Sequence, residues 1–133
     1  KGHIEGNTVV NAGCGPSGGS GVMVSFGSTP VVKNNTIKDC HSFGICIADE
    51  AAGVIERNNI TATRSHGIGI FRRANPVVRG NIVRDNAGVG IFISQAGGGT
   101  VSDNRLALNR GSHTTQVIVE PGCSATVREN ITG

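Results

Sequence analysis

Three histidines are the residues best suited to chemistry at neutral pH, since an imidazole can act as an acid, a base or a metal ligand. His41, His66 and His113 all fall between the strand-like runs of a repeated unit described below. Their positions within the unit differ, and no Cys or carboxylate stands at a ligand spacing beside them. The sequence therefore predicts neither a metal site nor a cofactor.

Carboxylates are the other chemical candidates, because polysaccharide-cleaving sites need clustered acidic residues to bind calcium or to transfer protons. The chain has nine acidic residues, of which Asp49 and Glu50 form the only adjacent pair. Arg72 and Arg73 occupy the equivalent positions one repeat later. The pattern predicts stacked opposite charges and no catalytic residue, so it leans away from an enzyme.

A repeat with a period of 23 residues between Pro30 and Gly98 positions these side chains. Each unit contains two strand-like runs of Val and Ile, and residues such as Ile45 and Ile47 alternate with a second column. A fixed period of this length indicates a solenoid. The prediction is an all-β fold, a right-handed parallel β-helix of about five coils.

One Asn recurs in every unit and defines the spacing of the coils. Asparagine tolerates the left-handed turn conformation, and its amide can bond the amide of the next coil. We therefore expect a structural ladder of stacked amides. Its members are Asn7, Asn35, Asn58, Asn81, Asn104 and Asn130.

The whole chain, residues 1–133, is expected to form a single β-helix domain that is a fragment of a longer protein. Lys1 and Gly133 both fall inside incomplete coils, without a helix or polar cap to cover the last strands. Open coil ends and exposed sheet faces also predict end-to-end or face-to-face self-association.

Composition excludes several partners. The net charge is +3, the basic residues are spread over several faces, and Trp and Tyr are absent, which argues against nucleic-acid binding. No apolar run approaches the roughly 20 residues that span a bilayer. The four cysteines form no Cys-x-x-Cys pair, and the expectation is free thiols in a reducing, intracellular compartment.

One candidate binding surface is an edge of the rod. Both irregular spacings reflect insertions, at Gly13–Ser20 and Arg110–Thr115, that emerge from this edge. Insertions in solenoids often lie on the binding face. The candidate binding residues here are His41, Arg64, His66, Arg84 and His113.

The second candidate surface is a column that the strand alternation turns outward. It runs through Met23, Cys46, Gly69, Phe92 and Ile118, of which Met23, Phe92 and Ile118 are candidate binding residues. An apolar stripe on an exposed sheet suggests contact with another protein. The alternative is that flanking side chains partly cover it.

The repeat resembles the parallel β-helix repeats of the pectin-lyase-like superfamily over essentially the whole chain. Within that group, the alternation of Asn75–Asn81 with Glu50–Asn58 resembles the β-helix region of F-box substrate receptors, over roughly Gly21–Leu108. That resemblance implies a recognition surface for protein substrates without an enzymatic site. The segment Ser65–Ile68 resembles part of the polygalacturonase site, but the paired aspartates and the basic segment of that site are missing.

The sequence thus favours a non-catalytic binding or scaffold module that recognises a protein partner. The alternative is a carbohydrate-binding or polysaccharide-active β-helix. Several unpaired Asp or Glu residues lining one outward groove would favour the alternative.

Overall fold

The computed structural model describes residues 2–10, 20–110 and 116–132. His113, Cys14 and most of both insertions lie outside these residues. The regular elements within the described ranges are all short strands, and they follow one another as β1 (His3–Glu5), β2 (Thr8–Val10), β3 (Val22–Val24), β4 (Val31–Lys33), β5 (Thr36–Lys38), β6 (Ile45–Ile47), β7 (Val54–Glu56), β8 (Asn59–Thr61), β9 (Ile68–Ile70), β10 (Val77–Arg79), β11 (Ile82–Arg84), β12 (Ile91–Ile93), β13 (Thr100–Ser102), β14 (Arg105–Ala107), β15 (Val117–Val119), β16 (Thr126–Arg128) and β17 (Ile131–Thr132).

The strands form three parallel sheets that run along a solenoid. Sheet A contains β1, β4, β7, β10, β13 and β16, sheet B contains β2, β5, β8, β11, β14 and β17, and sheet C contains β3, β6, β9, β12 and β15. Val31 pairs with Val54, and Val54 with Val77, which confirms the spacing of 23 residues. The solenoid has about four turns, close to the five predicted.

The core is a stack of aliphatic side chains inside the coil. Sheets A and B each turn the middle residue of a strand inward, whereas sheet C turns the first and third inward, as with Ile45 and Ile47. Burying each such side chain contributes roughly 1.5–3 kcal/mol. The fully buried members of the three sheets include Val32, Ile55, Val78, Val101, Ile37, Ile60, Val83, Leu106, Ile45, Ile47, Ile68, Ile70, Ile91 and Ile93.

The predicted Asn ladder lies at the corner between sheets A and B. The Nδ2 group of Asn58 donates to the carbonyl oxygen of Val32 and to Oδ1 of Asn81, both at 2.9 Å. Its own Oδ1 accepts from the backbone N–H and the Nδ2 group of Asn35, at 3.1 and 2.9 Å. The same pattern joins Asn7 to Asn35 and Asn104 to Asn130, so the predicted ladder is confirmed.

A second amide ladder, at the corner between sheets B and C, was not predicted. Oδ1 of Asn86 accepts from the backbone N–H of Thr63 at 2.9 Å, and Oδ1 of Asn109 accepts from Nδ2 of Asn86 at 2.8 Å. Asn109 in turn donates to Gln116 at 2.7 Å. Thr63 and Cys40 occupy the same column in the earlier coils and conceal it in the sequence.

The predicted charge register is also confirmed. At the corner between sheets C and A, Nε of Arg72 lies 2.6 Å from Oδ1 of Asp49, and Nε of Arg73 lies 3.4 Å from Oε2 of Glu50. On the outer face of sheet A, Arg79 bonds Glu56 at 3.0 Å. On the same outer face of sheet A, Lys33 forms an ion pair with Glu5, at 3.9 Å.

Candidate functional site

The outer face of sheet C carries the apolar column that the sequence indicated. Met23, Cys46, Gly69, Phe92 and Ile118 stand in register on consecutive strands. The exposure is uneven: Met23 is 52% exposed, whereas Cys46 is 6% exposed and Gly69 is buried. Flanking side chains therefore cover the middle of the column in part, whereas Met23 at one end remains exposed.

Four rings, which we call the aromatic cluster, provide that cover. Phe43 lies 5.7 Å from His66 and 5.2 Å from Phe71, measured between ring centroids. Phe92 lies 4.5 Å from His66 and 5.9 Å from Phe71. These separations are typical of aromatic pairs. The rings come from three turns of the solenoid and form one half-buried surface.

Gly69 makes room for the aromatic cluster. A side chain at this position would begin 2.5 Å from Cε2 of Phe71 and 3.4 Å from Cδ1 of Phe43. The missing side chain lets both rings lie across the outer surface of β9. The gap in the apolar column, which reads in the sequence as an interruption, is thus where the rings converge.

His66 has a structural partner within the aromatic cluster. Its Nδ1 atom accepts a hydrogen bond from the backbone N–H of Val89 at 2.9 Å. Burial lowers the pKa of this imidazole below its usual value. The ring is therefore neutral at pH 7, with its proton on Nε2. In this state His66 can donate a hydrogen bond to a ligand through Nε2, whereas Nδ1 is occupied.

Cys46 lies beneath the same surface. Burial raises the pKa of its thiol, an effect that Arg72 opposes and Asp49 reinforces. The sulfur is consequently protonated at neutral pH, and a thiol in this form is a poor nucleophile. Cys46 acts here as a small apolar side chain of the sheet.

Of the remaining candidates at the insertion edge, His41 and Arg64 occupy the same position in consecutive coils, whereas Arg84 belongs to another column. Arg64 is exposed and His41 is half-buried, and Arg84 bonds its neighbour Asp85 at 2.8 Å. No hydrogen bond or ion pair joins the side chains of His41, Arg64 and Arg84 within the described ranges. The structure thus associates His66 with Phe92, two residues predicted on different surfaces, and no side-chain hydrogen bond or ion pair joins His66 to the other described edge residues.

A groove that the sequence did not indicate runs along the corner between sheets C and A. Its volume is about 630 Å³, and its lining includes Phe26, Asp49, Glu50, Arg72, Arg73 and Gln95. Phe26 is 86% exposed at one end. Both carboxylates of the groove are paired with arginine, as described above.

The described part of the chain lacks two further features of functional sites. It contains no group of three or more His, Cys, Asp or Glu side chains arranged to hold a metal ion. It also contains no helix of the length and apolarity needed to cross a bilayer.

Comparison with known proteins bears on the fold. A family model described as a right-handed beta helix region matches residues 1–132. Searches of curated proteins and of solved structures found no match. The matched region includes all three sheets and both amide ladders, and the family description agrees with the predicted right-handed winding. The chain belongs to the right-handed beta helix family.

Proposed function

We propose that this β-helix is a non-catalytic binding or scaffold module that recognises a protein partner through the outer face of sheet C. The observation that carries the proposal is the aromatic cluster, half-buried beside the exposed Met23. Aromatic side chains and methionine are enriched at protein interfaces relative to the rest of the surface. A rigid sheet bearing stacked rings loses little conformational entropy when a partner binds.

The state of the polar groups supports binding over acid–base catalysis. Asp49 and Glu50 face guanidinium groups, and the hydrogen bond from Arg79 lowers the pKa of Glu56. A carboxylate held in its charged form by arginine is a poor proton donor near pH 7. His66, in turn, uses Nδ1 to hold the backbone of the next coil.

The resemblance to the β-helix region of F-box substrate receptors supports the same kind of role, because there the coil surface is the recognition element. Cys46 and Cys123 form no disulfide among the described residues. The partner is expected to present aliphatic or aromatic side chains to sheet C, and a second copy of this chain is one form such a partner can take.

The experiment is an affinity capture from cell extract with three versions of the protein. We compare the wild type with Met23→Glu, which places a charge on the proposed surface, and with Thr126→Glu, which makes a matched change on sheet A. Proteins that bind the wild type and Thr126→Glu but not Met23→Glu are then purified and titrated directly. Sedimentation of the chain alone measures self-association. Equal capture by all three versions, with no Met23-dependent dimer, contradicts the proposal.

A carbohydrate ligand is the second candidate, and the groove at the corner between sheets C and A favours it. An exposed aromatic ring, Phe26, lies in line with a carboxylate, a guanidinium and an amide, from Asp49, Arg72 and Gln95. Such groups can stack on a sugar ring and bond its hydroxyls. Incubation with polyuronates, with and without calcium, tests this candidate. Cleavage by the wild type that is lost in Asp49→Ala would establish an enzyme at the groove and overturn the non-catalytic proposal.

A further inference from the structure

Leu108 occupies a position that suits a leucine poorly. Its φ angle is 54°, in the left-handed region, and its side chain is 64% exposed. The equivalent turn position in earlier coils holds Asp39, Ala62 and Asp85, each with a φ of 58°. Aspartate tolerates this conformation, whereas a larger apolar side chain there is an outlier. The left-handed turn recurs at this corner of each coil and does not by itself mark a site; what distinguishes Leu108 is a large apolar side chain that is mostly exposed there.

Leu108 is part of an apolar depression on the outer face of sheet B. Ile82 and Ile131, on β11 and β17, are 41% and 58% exposed beside it. Together with Arg84, Arg105 and Ala107, these side chains line a depression of about 400 Å³. This volume can accept an aliphatic side chain from another molecule.

The charged side chains at the outward positions of the described sheet B strands are all basic, whereas Asp85, Asp103 and Glu129 stand at the corners beside them. Among the described residues, the outward positions of the sheet B strands carry Lys38, Arg84 and Arg105, and no carboxylate. Arg84 is paired with Asp85 at the adjoining corner. Arg105 has neither an ion pair nor a side-chain hydrogen bond within the described ranges, so its guanidinium can bind a carboxylate in the bidentate manner.

We propose that the outer face of sheet B binds an acidic peptide segment of a partner protein that carries aliphatic side chains among its carboxylates. An aliphatic side chain enters the depression between Ile82, Leu108 and Ile131, and a neighbouring carboxylate bonds Arg105. Charge complementarity selects the acidic segment, and the apolar contact distinguishes it from a general polyanion. This surface is on a different sheet from the aromatic cluster, so the proposal does not depend on the proposed function.

The probe is a fluorescein-labelled synthetic peptide of alternating Glu and Leu, and binding to the intact chain is followed by fluorescence anisotropy. Peptides of alternating Glu and Ser and of alternating Lys and Leu are the comparisons. We expect Arg105→Glu to weaken binding of the Glu-Leu peptide by about tenfold or more. Arg128→Glu makes the same charge change on sheet A and should leave the affinity unchanged.

Leu108→Asn separates binding from folding. Asn is well suited to the left-handed turn, so the melting temperature should stay the same or rise, while peptide affinity falls by about tenfold. Full affinity in Leu108→Asn, or equal binding of the Glu-Ser or Lys-Leu peptide, overturns the proposal. Binding to vesicles rich in anionic lipid without binding to the Glu-Leu peptide also overturns it, because it would identify a membrane as the occupant.

Discussion

The rings of His66 and Phe92 stack with their centroids 4.5 Å apart and their planes inclined by 15°. The two residues belong to consecutive turns of the solenoid, so the stack joins one coil to the next outside the hydrogen-bonded sheets. The hydrogen bond that Nδ1 accepts from Val89 also ties the imidazole to the next coil. This relationship places a histidine inside a surface suited to protein contact rather than beside groups that would exchange protons with it.

Acidification should destabilise the fold through His66. The pKa of its imidazole is lowered in the folded state, from an ordinary value of about 6.5, so the unfolded chain binds this proton first. The contribution of the neutral His66 to the free energy of unfolding is fully present above pH about 6.5, and it declines as the pH falls toward the pKa of the folded state. Urea unfolding at several pH values between neutral and mildly acidic measures how the free energy of unfolding changes with pH.

Two variants test whether His66 causes this dependence of stability on pH. His66→Gln removes the imidazole, and we expect a weaker pH dependence than in the wild type. Phe92→Leu disturbs the ring stack but keeps the imidazole and its bond to Val89, so it should retain a decline with acidification. A wild-type slope in His66→Gln would show that this residue is not the origin of the effect.

The amide ladder predicts a large difference between two adjacent asparagines. Asn58 is buried and bonds Val32, Asn35 and Asn81, whereas Asn59 is exposed at the start of β8. Asn58→Ala leaves the carbonyl oxygen of Val32, the backbone N–H of Asn35 and two ladder amides without this partner, and it should lower the free energy of unfolding by about 3 kcal/mol. Asn59→Ala should change it by less than about 0.5 kcal/mol. Equal losses in the two urea titrations would contradict the ladder.

Gly53 should tolerate no side chain. Its φ angle is 99°, and an added Cβ would collide with the carbonyl oxygen of Pro30 in the preceding coil. Gly80 also has a positive φ, of 66°, but the nearest atom to an added Cβ is 3.6 Å away. We expect Gly53→Ala to cost more than about 2 kcal/mol and Gly80→Ala about 1 kcal/mol. Similar melting temperatures for the two variants would be inconsistent with this close approach.

The ion pair between Asp49 and Arg72 should contribute little to stability despite its short distance. The pair lies at an exposed corner, where solvent screens the attraction. A double-mutant cycle with Asp49→Ala and Arg72→Ala should give a coupling energy of about 0.2–1 kcal/mol that decreases with added salt. A coupling of several kcal/mol that is insensitive to salt would indicate a buried structural pair instead.

The features that the sequence predicted share one property, which is that residues of similar or complementary type recur at the same offset in successive coils. The Asn ladder, the inward aliphatic columns and the pair of Asp49 with Arg72 can all be read from the period of 23 residues. The aromatic cluster could not be read this way. Phe43, Phe71 and Phe92 occupy different columns. They come together because the strands are short and because Gly69 has no side chain to fill the space between the rings.

The second amide ladder and the groove were missed for related reasons. Thr63 stands in the ladder position one coil before Asn86, so the column is not uniform in residue type, although the backbone N–H groups of both residues bond the amide oxygen of the next coil. Phe26 stands in the column of Asp49 and Arg72, where a charged residue would be expected. Mixed columns require the three-dimensional register, because side-chain type alone does not connect their members.

The most direct test of recognition through sheet C is site-specific photo-cross-linking to the purified partner. A photoreactive phenylalanine analogue is placed at Met23, on the outer face of sheet C, and in a second version at Thr126 on sheet A. Recognition through sheet C predicts a covalent adduct from position 23 and none from position 126, with unlabelled wild-type protein competing the adduct away. Cross-linking from position 126 alone, or equally from both, would contradict recognition through sheet C.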